Sequence, residues 1–341
     1  MAPSPPGRLV DVGSFRLHLN CAGSGGPTVV LDAALGGSSI SWALVQPEVA
    51  RFTRVCSYDR AGFGWSDAGP LPRTVGRIAD ELRTLLERAG EAPPYLLVGH
   101  SFGGLVMRVF ASRYSADVAG IVLVDTAHAE DWVTPAPKEQ VKIDRGVRLC
   151  RQGSRAARLG IARVVGWLVG WGALAPARAL TRIVSRGSLS REDEGILAPI
   201  WKLPREARKP LRHVWTQPKF FDALGSQIES ICASAAEVMA ADAAGYGDLP
   251  LVTISQTEPG EYRLRQQERL IRRSTRGRHI VAAASGHWIP LEEPELVVSV
   301  IRDLCYRFEH DDERRRTRYP GIAAGGEGAD HHRHPSFISS D

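Results

Sequence analysis

The chain has 341 residues, 43% of them hydrophobic and 24% charged. That composition supports one large α/β domain with an insertion, or two small domains, and it excludes global disorder. Lys and Arg number 43 and Asp and Glu 38, a formal net charge of +5, and where this modest excess sits matters more than its size.

The predicted elements follow in chain order. Residues 9–12 and 15–20 alternate apolar and polar around Gly13-Ser14 and read as a hairpin. Residues 28–32 are a short apolar run that ends in Ala33-Ala34-Leu35-Gly36-Gly37, and 53–58 is another strand candidate. Over 74–88, Val75, Ile78, Leu82, Leu85 and Leu86 recur at helical spacing between charges. A strand at 95–98 runs into Gly99 to Gly104 and an apolar helix to residue 113, and 120–125 is a fully apolar strand ending in a carboxylate. From residue 131 to about 247 the sequence is helical, Arg-rich and Trp-containing, with no obvious strand. Strand-like runs resume at 249–255 and 279–283, and a last helix follows Pro294. Strands alternating with helices predict a mostly parallel sheet with helices on both faces. The expected division is a core of residues 8–130 and 247–306, a helical cap over 131–246, and a disordered tail over 307–341.

The five cysteines, Cys21, Cys56, Cys150, Cys232 and Cys305, are odd in number, widely spaced and without a CxxC pair. They suggest neither a disulfide framework nor a thiolate metal site. The opening stretch MAPSPPGR has no apolar run and does not read as a secretory signal. The longest uncharged apolar candidate, residues 164–177, is 14 residues long, short of the about 18 that a membrane span needs. The expected compartment is the cytoplasm.

Gly99-His100-Ser101-Phe102-Gly103 fits G-x-S-x-G after an apolar strand and before an apolar helix, the context that motif requires. A sharp strand-to-helix turn would expose the Ser101 hydroxyl at the carboxyl rim of the sheet and aim the helix N-terminus at developing negative charge. A serine needs a base. His287, in the loop between the last strand and the last helix, is the candidate. His128 is a weaker alternative, and His100 reads as a packing residue. The acid that orients the imidazole is Asp125, which ends its strand, with Glu258 after the next strand as the alternative. The oxyanion donors would be the backbone N–H groups of Phe102 and Leu35.

The segments VVLDAALGG, YDRAGFGWS, LLVGHSFGG, IVLVD and ASGHWIPLEEPE resemble, in order, those of α/β-hydrolase fold enzymes of the lidded, esterase-like kind. Two departures stand out. Ala33-Ala34 replaces the His-Gly common in the oxyanion loop, and the loop after the seventh family strand lacks the usual Asp, which moves the acid to Asp125. A carboxylate after the sixth strand resembles haloalkane dehalogenases, but those enzymes and the related epoxide hydrolases use an Asp nucleophile where this chain has Ser101. The resemblance implies a serine hydrolase acting on a small, apolar acyl substrate through an acyl-enzyme, with no cofactor and no metal. The alternatives are a carbon–carbon bond hydrolase with the same triad, or a ligand-binding protein with a vestigial one.

Three further features remain. Gly62-Phe63-Gly64 lacks the third glycine of a nucleotide loop and reads as a structural turn. His331-His332-Arg333-His334 lies in the expected tail without metal-ligand partners. Residues 142–186 hold ten basic residues and one acid. Arg145, Arg148, Arg151, Arg155 and Arg158 fall on one helical stripe, followed by Trp167 and Trp171. A solvated cap helix is the plainer expectation, and weak association with an anionic membrane surface the sharper one. No nucleic-acid-binding module accompanies the charge.

Overall fold

The computed structural model describes residues 4–170 and 202–318. Eight strands, β1 (Arg8–Asp11), β2 (Arg16–Ala22), β3 (Thr28–Asp32), β4 (Val55–Asp59), β5 (Tyr95–His100), β6 (Val118–Val124), β7 (Leu251–Ser255) and β8 (Gly277–Val281), form one sheet. Its order is β1-β2-β4-β3-β5-β6-β7-β8. The hairpin β1–β2 and the β2–β4 pair are antiparallel, and every later pair is parallel. Strands β3, β4, β5 and β7 are buried along their whole length, as expected where helices cover both faces. The parallel strands all end on one rim, where the loops that follow them meet.

Helix α1 (Val75–Ala89) starts at Thr74, whose side chain accepts the Arg77 N–H, and stops at Gly90 in the left-handed region at φ 74°. Its expected apolar stripe, Val75, Ile78, Leu82, Leu85 and Leu86, is buried in one core cluster with α2 (Phe102–Arg113). Between β6 and β7 come α3 (Pro137–Arg158), α4 (Ile161–Gly170), α5 (Arg205–Val214), α6 (Pro218–Glu229) and α7 (Ile231–Ala243), with no strand among the described residues. Helix α7 returns to the core, where buried Asp242 pairs with buried Arg108 of α2. After β7 come α8 (Gly260–Ile271) and α9 (Pro294–Arg318). Val297, Val300, Ile301 and Leu304 of α9 fill the core on the opposite face of the sheet.

Two expectations are corrected here. Cys21 and Cys56 form a disulfide. They are direct register partners on the antiparallel pair β2–β4, a juxtaposition that spacing along the chain does not reveal. Such bridges persist in oxidising compartments, which counts against the cytoplasmic expectation. Among the described residues no helix is long and apolar enough to cross a membrane. The second correction concerns the tail: α9 continues to Arg318 instead of ending near residue 307. Arg307 bonds back to Asp303, and Arg276 reaches Asp311 from outside the helix. The histidine cluster at 331–334 lies outside the described residues.

The basic stripe lies on α3, but Arg151 pairs with Glu229 and Arg158 with Asp222, both on α6. Trp167 on α4 is exposed. Trp171 and the basic residues 178, 182 and 186 lie outside the described residues.

Candidate active site

The turn from β5 into α2 is built by its glycines. A Cβ at Gly99 would lie 2.6 Å from backbone atoms of Gly103, and one at Gly103 would lie 2.5 Å from the Asp32 carbonyl oxygen. No side chain fits at either position. Ser101 between them takes φ 54° and ψ −115°, a region L residues rarely enter and one that surrounding structure must hold. The hold is visible: Ser101 N–H donates to Val124 O at 3.0 Å, and its carbonyl accepts from Ala127 N–H at 3.2 Å and Gly104 N–H at 3.1 Å.

Asp125 directly follows β6, at a positive φ of 39°. Its N–H continues the β6–β7 ladder by donating to Ile254 O at 2.6 Å. Its Oδ1 accepts the Gln256 N–H at 3.3 Å, and its Oδ2 accepts His287 Nδ1–H at 2.6 Å. Donation from Nδ1 fixes the tautomer that leaves the Nε2 lone pair available. The His287 ring is 43% exposed and Asp125 17%, so a mostly covered carboxylate faces a ring open to a substrate.

Elements around His287 that the sequence did not single out hold its loop. Glu292 Oε2 accepts the Gly286 N–H at 2.8 Å. Glu293 accepts from Ala284 N–H at 2.6 Å and Ser285 Oγ–H at 2.8 Å, and these donors, led by the Ala284 amide, hold its carboxyl below the ordinary value. The acidic pair in LEEPE was the available signal. His100 is buried, as expected of a packing residue, but it also donates from Nε2 to the His287 carbonyl at 2.7 Å. The two rings lie 4.9 Å apart. Ser101 and His287 are thus tied through the side chain of His100, which precedes Ser101, to the backbone of His287, while no hydrogen bond links Ser101 Oγ to the His287 ring. Bonds of this kind often tighten only when substrate binds.

The alternatives fall elsewhere. Glu258 is exposed and bears no bond to His287. His128 is buried against Gln267, whose amide Nε2 lies 3.4 Å from its ring. Leu35 is on the rim, 39% exposed, and Phe102 is buried. Neither backbone N–H has a protein acceptor among the described residues. The Gly62–Gly64 loop wraps a carboxylate of its own: Asp59 accepts from Ser39 N–H and Trp65 N–H, and a Cβ at Gly64 would strike it at 2.0 Å. That loop is a structural turn.

The insertion roofs the rim. Over Gly36, a Cβ would meet Leu224 Cδ1 at 3.7 Å and Phe220 Cζ at 3.9 Å, both from α6. Phe220 also stands edge-on to Phe63 at 5.7 Å. Beside it, Trp215 and Trp288 pack on a cluster of Ile40, Leu203, Leu211 and Val214.

Burial, with His287 adding, lowers the His100 imidazole to about 3, and burial, with nearby arginines adding, lowers His128 to about 4. Both are neutral at pH 7 in the folded chain but titrate near 6.5 when unfolded. Below pH 6.5 the unfolded chain therefore binds protons that the folded chain refuses. This stability is complete above about pH 6.5 and is lost as the pH falls. Each histidine should cost roughly 2 kcal/mol between pH 7 and pH 5. Urea midpoints at the two values check this. The double variant His100→Gln, His128→Gln should show a much flatter profile, and an unchanged slope would contradict the assignment.

A mostly parallel sheet in this strand order, with a serine on the β5–α2 elbow and a histidine–carboxylate pair on the same rim, defines the α/β-hydrolase fold. The chain has that fold. Residues 27–151 match the family model of the alpha/beta hydrolase fold. An uncharacterized protein of Schizosaccharomyces pombe is 33% identical over 159 residues, 38% of this chain and 30% of that protein, so the match spans less than half the length of this relative. Among solved structures, a "putative epoxide hydrolase" from Pseudomonas aeruginosa has a TM-score of 0.66 at 16% identity, covering 89% of this chain and 96% of that one. A thermophilic esterase from Thermogutta terrifontis has a TM-score of 0.59 at 20% identity, covering 86% and 94%. Likeness at these identities is likeness of fold.

Proposed function

We propose that this protein is a serine hydrolase that cleaves an ester or related acyl bond through an acyl-enzyme. The observation that carries the proposal is the 2.6 Å bond from His287 Nδ1 to Asp125 Oδ2 on the same rim as Ser101. In this reading His287 Nε2 takes the Ser101 proton as Oγ attacks the carbonyl carbon. Asp125 stabilises the imidazolium that forms. The oxyanion is met by the N–H groups of Phe102 and Leu35 and by the N-terminal end of α2. The imidazolium then gives its proton to the leaving alcohol, and His287 next activates the water that releases the acid.

The apolar roof of Phe220, Leu224, Trp215 and Trp288 supports an apolar acyl group. Opening an epoxide through an enzyme ester would need a carboxylate at position 101, and serine stands there. A carbon–carbon bond hydrolase would use the same three residues, and a substrate screen separates it from an esterase. The insertion over the rim fits the role of a cap.

Wild-type protein should hydrolyse p-nitrophenyl esters, with kcat/KM rising from acetate to butyrate or hexanoate as the acyl group fills the roof. A rate indistinguishable from buffer across the series would instead favour a binding protein with a vestigial triad.

A further inference from the structure

Arg60 follows β4 and is one of the largest fully buried side chains of the molecule, 2% exposed. A buried guanidinium must use its donors. Nη1 lies 3.5 Å from Asp32 Oδ1, itself 1% exposed, an ion-pair distance without a hydrogen bond. Nη2 donates to the carbonyl of Ala34. The guanidinium carbon stands 5.1 Å from the centroid of the Phe102 ring and 5.5 Å from that of Phe63, within cation–π range of both.

Of these partners, Asp32, Ala34 and Phe102 belong to the two segments that carry the oxyanion donors. Asp32 is the register partner of Gly99 on β3–β5, and Gly103 abuts the carbonyls of Asp32 and Ala33. The stretch after β3 therefore runs beside the first turn of α2. The Ala34 carbonyl and the Leu35 N–H are opposite ends of one planar trans peptide, so fixing the first fixes the direction of the second. The carbonyl accepts twice, from Arg60 and from Gly37 N–H at 2.9 Å. Two donors there polarise the peptide and strengthen its N–H as a donor.

We propose that Arg60 is a positioning residue for acyl transfer: it clamps the Ala34–Leu35 peptide so that the Leu35 N–H faces the developing oxyanion, and it braces Phe102, which carries the second donor. This rests on the serine-hydrolase reading above. It also gives the departure at Ala33-Ala34 a physical account, since a backbone carbonyl held from behind needs no particular side chain at position 34.

Two variants test it. Arg60→Lys keeps a cation beside Asp32 and loses the planar fork. Arg60→Gln combined with Asp32→Asn removes both buried charges together, which spares the fold an unpaired ion. Rates are taken per active site titrated, so that unfolded protein does not count, and melting temperatures are recorded alongside. In both variants kcat should fall about 100-fold, in the range of a lost oxyanion donor, while KM stays within about 2-fold. Affinity for a trifluoromethyl ketone, which forms a tetrahedral oxyanion on Ser101, should fall by the same factor as kcat. A purely structural Arg60 would lower the melting temperature and leave kcat per site and ketone affinity unchanged in both variants, and that result overturns the proposal. Wild-type protein without Ser101-dependent turnover overturns the hydrolase reading, and this inference with it.

Discussion

Asp125→Asn should lower ester turnover by about 10⁴-fold, the scale of losing the acid from a Ser-His-Asp triad. The geometry says why the loss is large although the side chain barely changes shape. Oδ1 of Asp125 is held by the Gln256 N–H and Oδ2 faces His287 Nδ1. In asparagine the single oxygen must stay with the Gln256 N–H, because an amide nitrogen there would set donor against donor. The NH2 group then faces His287 and demands a lone pair on Nδ1. The ring proton moves to Nε2, where it blocks the base that Ser101 needs. Glu258→Gln serves as the control and should stay within about 2-fold of wild type, because an exposed side chain without a bond to the ring cannot set its tautomer. If Glu258→Gln proves the damaging change and Asp125→Asn is tolerated, the acid lies after β7 instead. Steady-state kinetics on one p-nitrophenyl ester decides between them.

His287→Ala should cost about 10⁶-fold in kcat, Ser101→Ala about the same, and the double variant no more than either, because residues that act as one unit are not additive. Neither change should unfold the protein. The His287 ring is 43% exposed, and its loop is held through the backbone by His100, Glu292 and Glu293. Circular dichroism and melting temperature separate lost chemistry from lost structure. A double variant much slower than either single would show that Ser101 and His287 act in separate steps.

Much of this arrangement is legible in the chain because the determinants are local. Gly99 and Gly103 flank Ser101 where a turn leaves no room for a side chain, and a five-residue window contains the whole reason. The place of Asp125 on the rim was legible because it directly ends an apolar strand, and that of His287 because it lies between the last strand and the last helix. What escaped depends on partners far apart in sequence. The Cys21–Cys56 bridge needs the β2–β4 register, which only the folded sheet defines. The continuation of α9 to Arg318 runs through polar sequence with little apolar periodicity, where Arg307 and Asp311 make ion pairs that composition does not announce. The bond from Arg60 to Ala34 spans 26 residues and joins two loops, and the sequence shows only an arginine in a glycine-rich turn. The clip by Glu292 and Glu293 was half visible, as two acids just past the histidine, but the donors they accept from are set only by the folded loop.

The most direct test of a nucleophilic Ser101 is reaction with a fluorophosphonate followed by peptide mass spectrometry. Wild-type protein should carry one phosphonyl adduct, on the peptide containing Ser101, with labelling slowed strongly by His287→Ala. An intact chain that stays unlabelled, or an adduct on a different residue, would contradict the account.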